Sequence, residues 1–171
     1  MNKVLILIVL TVILLSCSDN GAEPEPEPEV KLKIIISPIE QNIVCDSIAY
    51  LEIKVENASN LFAFSGEIYF DSMIAEVQSE LNQAGDLWNN ETLMQCITET
   101  GCLNICIGLT QTDENDYVDG SGTLFEFAVK GINNGESDFT LSNLQLINEN
   151  GLPIENFNEI EVINSILFVD N

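Results

Sequence analysis

Alternation with a period of two runs through most of this chain and constrains it to strands. In Ala49-Tyr50-Leu51-Glu52-Ile53-Lys54-Val55-Glu56 the apolar residues at 49, 51, 53 and 55 interleave with Tyr, Glu, Lys and Glu. Successive Cβ atoms of a strand point to opposite faces, so this pattern has one face buried and one wet. Thr123 to Lys130 repeats it, with Phe125, Phe127 and Val129 inward and Glu126 and Lys130 outward. Further β-like runs lie at 32–36, 61–70, 92–97, 103–109, 139–147 and 161–169. Turn-rich clusters at 57–60, 99–101, 119–122, 133–135 and 148–151 separate the runs and are read as chain reversals. Only Ser72 to Gln83 has room for a short helical turn, with Asp71 placed to cap it. Many short strands at this spacing predict an all-β, antiparallel β-sandwich.

The N-terminus is read as processing rather than fold. Lys3 supplies a positive start, and Val4 to Leu15 form an apolar run too short for a membrane span. The run ends Leu14-Leu15-Ser16-Cys17, which resembles the bacterial lipobox, where a small residue precedes a Cys that is lipidated and becomes the mature N-terminus. Residues 1–16 are therefore expected to be a lipoprotein signal peptide and Cys17 the lipidation site; an ordinary signal with an incidental Cys and an uncleaved anchor are the alternatives. Residues 17–30 follow as an acidic Glu-Pro tether. Its alternating Glu and Pro bury nothing and favour an extended, PPII-like spacer of ~40 Å at ~3.1 Å per residue. This places the protein at the bacterial outer membrane or cell surface, touching the membrane only through the lipid.

Composition excludes much chemistry. The 171 residues include 5 Lys+Arg, 28 Asp+Glu and no His, a formal net charge of −23. All five basic residues are Lys. Nucleic acid and anionic lipid need clustered cations, so neither is an expected partner. Without His, the commonest general base, the Ser-His and Cys-His pairs and imidazole metal ligands are unavailable. A carboxylate-only hydrolase remains conceivable, but no acid pair stands out, and the chain is read as a non-enzyme without a cofactor. The acidity also suits a saline habitat, where surface charge maintains solubility.

With Cys17 assigned to lipid, Cys45, Cys96, Cys102 and Cys106 remain, an even number in an exported domain and hence two expected disulfides. Three connectivities are possible. Cys96 and Cys102 flank a hairpin turn and face each other in one register, which leaves Cys45 for Cys106. The spacing matches no familiar structural zinc site.

A family resemblance joins several of these pieces. Asn60 to Val77, through Tyr69-Phe70-Asp71-Ser72 and Ala75-Glu76-Val77, resembles the cohesin stretch in which a strand ends in Tyr-Asp-Pro and continues to an apolar-Glu-Val turn. Gly120-Ser121-Gly122-Thr123-Leu124 resembles the Gly-Ser-Gly-Thr-Leu strand of the same family, residues 139–151 its following strand and turn, and 161–169 its closing strand. Ser72 stands where cohesins usually carry Pro, and the Cys-bearing hairpin is no family signature. The resemblance implies a cohesin-like jelly-roll of about nine strands over residues 31–171. It also implies a protein partner: cohesins bind dockerin modules through one sheet face and so assemble polysaccharide-degrading enzymes.

Parity then nominates the face. In 61–71, Phe62, Phe64, Ile68 and Phe70 are expected inside, with Ser65, Glu67 and Tyr69 outside. A cohesin-like strand order adds Gln95, Asn104, Asn143 and Gln145. The rival reading is a carbohydrate-binding lipoprotein that captures polysaccharide by stacking it on Trp88 and Tyr117, the aromatics of loop-like stretches, although a partly buried packing residue is the plainer expectation for each. Asp113, Asn115, Asp116 and Asp119 crowd oxygen ligands of the kind calcium takes, but Tyr117-Val118 breaks the EF-hand pattern, and a solvated acidic loop is the plainer expectation.

Overall fold

The computed structural model describes residues 31–88, 92–110 and 117–171; the expected signal peptide, lipidated Cys17 and tether lie outside them. Among the described residues twelve strands follow in order: β1 (Lys33–Ser37), β2 (Glu40–Val44), β3 (Ile48–Leu61), β4 (Ala63–Tyr69), β5 (Ala75–Val77), β6 (Gln83–Ala84), β7 (Thr92–Glu99), β8 (Cys102–Leu109), β9 (Val118–Gly131), β10 (Gly135–Ile147), β11 (Glu161–Ile163) and β12 (Ser165–Asp170). They form two sheets. The first is ordered β11-β1-β3-β9-β5, with β6 also on β9, and the second β2-β12-β10-β4-β8-β7. The pairings are antiparallel except β1 with β11 and β2 with β12, which are parallel.

The two inner faces make the core, as alternation predicts. Ala49, Leu51, Ile53 and Val55 of β3 are all buried, and so are Phe64 and Ile68 of β4. Phe62 and Phe70 pack half-buried against the same cluster. Aromatic rings join the layers: Phe127 lies 6.0 Å from Phe139, which stacks on Phe70 at 5.6 Å. Burying each such ring contributes about 1.5–3 kcal/mol. On β9, Leu124 and Ala128 are buried too, although alternation places them outward. The segment from Gln78 to Trp88 packs along this strand and covers it: Gln78 N–H donates to the Ala128 carbonyl at 2.8 Å and Gly85 N–H to that of Leu124 at 3.0 Å.

The strand count exceeds the expected nine, because β2, β5 and β6 lack a long apolar alternation and the closing run divides into β11 and β12 at Asn164. Two expected reversals are not reversals. Residues 57–60 lie inside β3 and 119–122 inside β9, and the two clusters face each other, Ala58 opposite Gly120. Their turn-forming residues make bulges: Asn57, Asn60 and Gly120 take positive φ while pairing continues. Asn60 N–H donates to Asp119 Oδ1 at 2.7 Å and Asn57 N–H to Ser121 Oγ at 3.0 Å, so side chains replace the interrupted ladder. The bulged ends lead into Phe62, where the chain leaves the first sheet for β4 in the second. Asp71 does act as a turn cap, its Oδ1 accepting Met73 N–H at 2.8 Å. In place of the expected helical turn, the stretch after it holds a turn, β5 and a 3₁₀ segment, Ser79–Leu81.

Candidate functional site

The outward face of β10, β4, β8 and β7 is assembled by strand register. Across the strands β7, β8, β4 and β10, directly opposed residues form rows: Glu99, Cys102, Tyr69, Thr140; then Ile97, Asn104, Glu67, Ser142; then Gln95, Cys106, Ser65, Gln145. Six of the seven residues nominated from sequence, Ser65, Glu67, Gln95, Asn104, Asn143 and Gln145, line one shallow depression of about 270 Å³. Tyr69, the seventh, stands at its edge with 45% of its surface exposed. Sequence reasoning missed Ile97 and Cys106, which line the same depression. The alternation of β7 and β8 carries that signal, since both share parity with residues already named.

Glu67 is the polar centre. Tyr69 Oη–H and Asn143 Nδ2–H both donate to Glu67 Oε2 at 2.6 Å. The Tyr69 hydroxyl first, and the Asn143 amide second, hold the Glu67 carboxyl below its ordinary range. The same contact and the carboxylate's charge push the Tyr69 phenol up to about 12. Asn143 reaches Glu67 because β10 is bulged: the register with β4 slips between Ser142 and Gln145. Asn143 occupies the left-handed region there, at φ 50°, a conformation Asn tolerates better than most residues. Because of this slip, Leu141 and Leu146 can both point inward with Gln145 outward.

The cysteine expectation is corrected. Cys45, Cys96, Cys102 and Cys106 are all free thiols. Cys96 opposes Ile105 and shares its inward parity, whereas Cys102 and Cys106 face outward opposite Glu99 and Gln95. The observed register differs from a Cys96–Cys102 pairing by three residues, an odd shift, and so separates the two by the thickness of the sheet. Cys102 and Cys106 are four residues apart on one strand, ~13 Å, beyond disulfide reach. Cys45 follows β2, at the opposite edge of the second sheet from β7 and β8. Its thiol lies 3.7 Å from Asn171 Oδ1. Burial pushes the Cys96 thiol up to about 11, with a smaller effect from Cys106.

Two other nominations also change. Trp88 is no platform: it is buried, and its indole N–H donates to the Leu124 carbonyl at 2.7 Å. Tyr117 is exposed but has lost its partner aromatic. For calcium, Asp113, Asn115 and Asp116 lie outside the described residues, and Asp119 is engaged by the Asn60 backbone as above.

No protein-family model matches this chain, and no curated protein matches it. Solved structures do. A non-cellulosomal cohesin from the hyperthermophilic archaeon Archaeoglobus fulgidus superposes with a TM-score of 0.66 at 18% identity, covering 82% of this chain and 92% of that one. The third ScaC cohesin of Acetivibrio cellulolyticus, solved in complex with the ScaB dockerin, gives 0.66 at 16% identity over 82% and 99%. The OlpC cohesin from a type I cohesin–dockerin complex of Clostridium thermocellum gives 0.65 at 11% over 83% and 95%. The fold is therefore that of the cohesin β-sandwich, as the sequence resemblance implies.

Proposed function

We propose that this chain is a non-catalytic docking module whose β10-β4-β8-β7 face receives a dockerin-like module of a polysaccharide-degrading system. One observation carries the reading: residues of four strands, some nominated by parity and the rest by a cohesin-like strand order, meet on one outward patch, where a fixed carboxylate and several amides stand ready to hydrogen-bond. Polar groups around a single aromatic suit a recognition surface in which a few anchors dominate the energy. The cohesin fold supports it, and two of the similar structures were solved with dockerins. The domain is displayed at the bacterial surface from a lipidated Cys17 across the acidic tether, with no nucleic acid partner. Mass spectrometry of the mature protein tests the anchor: a diacylated or triacylated N-terminal Cys17 is expected, and an unmodified N-terminus elsewhere refutes it.

The docking test is a pull-down from the source organism with the purified chain as bait. A dockerin-bearing protein should be recovered and then lost with Glu67→Ala/Tyr69→Ala. The glycan reading has lost its stacking residue with the burial of Trp88. Retention on an insoluble polysaccharide without a protein partner, lost with Tyr117→Ala, would nevertheless restore it.

A further inference from the structure

Among the described residues the lysines lie on one side of the sandwich, Lys31 just ahead of β1 with its carbonyl accepting from the Asn57 amide of β3. Lys33, Lys54 and Lys130 lie on β1, β3 and β9, all in the first sheet. Each is engaged there: Lys33 with Glu56 at 3.9 Å and Glu161 at 3.8 Å, Lys54 with Glu52 at 2.7 Å, and Lys130 with Asp46 at 2.6 Å. The strands of the second sheet carry Glu40, Glu67, Glu99, Glu136, Asp138 and Asp170 and no cation.

Glu67 is the charge at the middle of this arrangement. Both of its hydrogen bonds land on Oε2, and among the described residues Oε1 has no donor. The depression beside it mixes the amides of Gln95, Asn104, Asn143 and Gln145 with the apolar surface of Ile97 and Ile105. At about 270 Å³ it falls below the ~300–1,000 Å³ of pockets that enclose a drug-sized ligand. It has room for one long side chain laid along the face. Ile97 of β7, 48% exposed, supplies apolar surface in its lining.

We infer that the partner docking on this face is basic, and that it seats a Lys or Arg head group in the depression against Glu67. This rests on the reading of the face as a protein-docking surface. No cation of the second sheet competes for the carboxylate, and its two internal donors keep it in place while leaving one oxygen open. Arg is the better fit. Its planar fork can address Oε1 and the neighbouring amide oxygens together, and its aliphatic stem can lie on Ile97. The chain's net charge of −23 adds long-range attraction for a basic surface and rejects an acidic one.

The test does not require the natural partner. N-acetyl-arginine amide is titrated into the protein and followed by amide-resolved NMR, with N-acetyl-citrulline amide as the uncharged control. Saturable shifts are expected at the side-chain amides of Asn104, Asn143 and Gln145 with arginine alone. Glu67→Gln should weaken them about two- to fivefold, the range of an exposed charge pair, and Glu136→Gln should leave them unchanged. Equal shifts with citrulline, shifts indifferent to Glu67→Gln, or no shift at the face would overturn the inference. Localised arginine shifts without any dockerin capture count against the proposed function alone. A captured dockerin whose binding survives Glu67→Gln and raised salt counts against the basic-partner inference alone.

Discussion

At the scale of the residue, the Glu67–Tyr69–Asn143 cluster ties geometry to ionisation. The Tyr69 phenol is raised above its ordinary value near 10 to about 12, so its contribution to stability is complete below pH ~10 and is lost as pH rises through about 12. Glu67 is shifted the other way. Its contribution is present above the ordinary carboxylate value and is lost as pH falls through the lowered one. Titration of tyrosinate absorbance should therefore show one phenol ionising near 12 in the wild type, absent in Tyr69→Phe and returned toward the ordinary value in Glu67→Gln. A titration curve unchanged by Glu67→Gln would refute the contact. Glu67 and Tyr69 were legible in the sequence because parity within one strand is a local property. Asn143 was legible as outward, but its contact with Glu67 depends on a bulge that alternation alone does not announce.

At the scale of the element, the β7–β8 hairpin shows what an odd shift of register does: Cys96 pairs with Ile105, three residues from Cys102. Its turn was visible at Glu99-Thr100-Gly101, yet the residues paired across it were not, and Cys96 falls on the face opposite Cys102. Alkylation of denatured, unreduced protein should label all four of Cys45, Cys96, Cys102 and Cys106; two protected thiols would restore a bridge. In the native state Cys106, exposed, should react well before Cys96, whose thiol is half-buried and pushed up to about 11. The packing of the 78–88 segment on β9 is a second case. A Cβ at Gly85 would sit 2.1 Å from the Thr123 carbonyl oxygen, a backbone atom that cannot step aside. Gly85→Ala should cost about 1–3 kcal/mol in chemical denaturation, and an unchanged midpoint would show that the segment packs elsewhere. Trp88 is buried, as the plainer expectation of a packing residue has it, but its loop-like sequence context says nothing of the strand over which it folds.

At the scale of the whole molecule, a net charge of −23 repels itself, and the few lysines offset only the first sheet. Salt should therefore stabilise the protein, since screening contracts from ~30 Å at 0.01 M to ~8 Å at 0.15 M. The Tm should rise over that range by about 2–4 °C for each kcal/mol of repulsion removed; a Tm that falls with salt would contradict this picture. Such a rise is separate from docking on the second sheet, where salt should weaken a basic partner. The sequence by itself determined that the domain is all-β, which parity of β3 and β4 is buried, and that Ser65, Glu67 and Tyr69 face out. These follow from the fixed alternation of Cβ atoms along a strand. Only the tertiary structure decided that residues 57–60 and 119–122 are facing bulges rather than turns, that Trp88 is core and that the thiols are apart. It also gathered the lysines onto one sheet and left Glu67 without a cation. Each of these depends on pairing between residues far apart in sequence, and a shift of one residue there reverses the face without altering the local pattern.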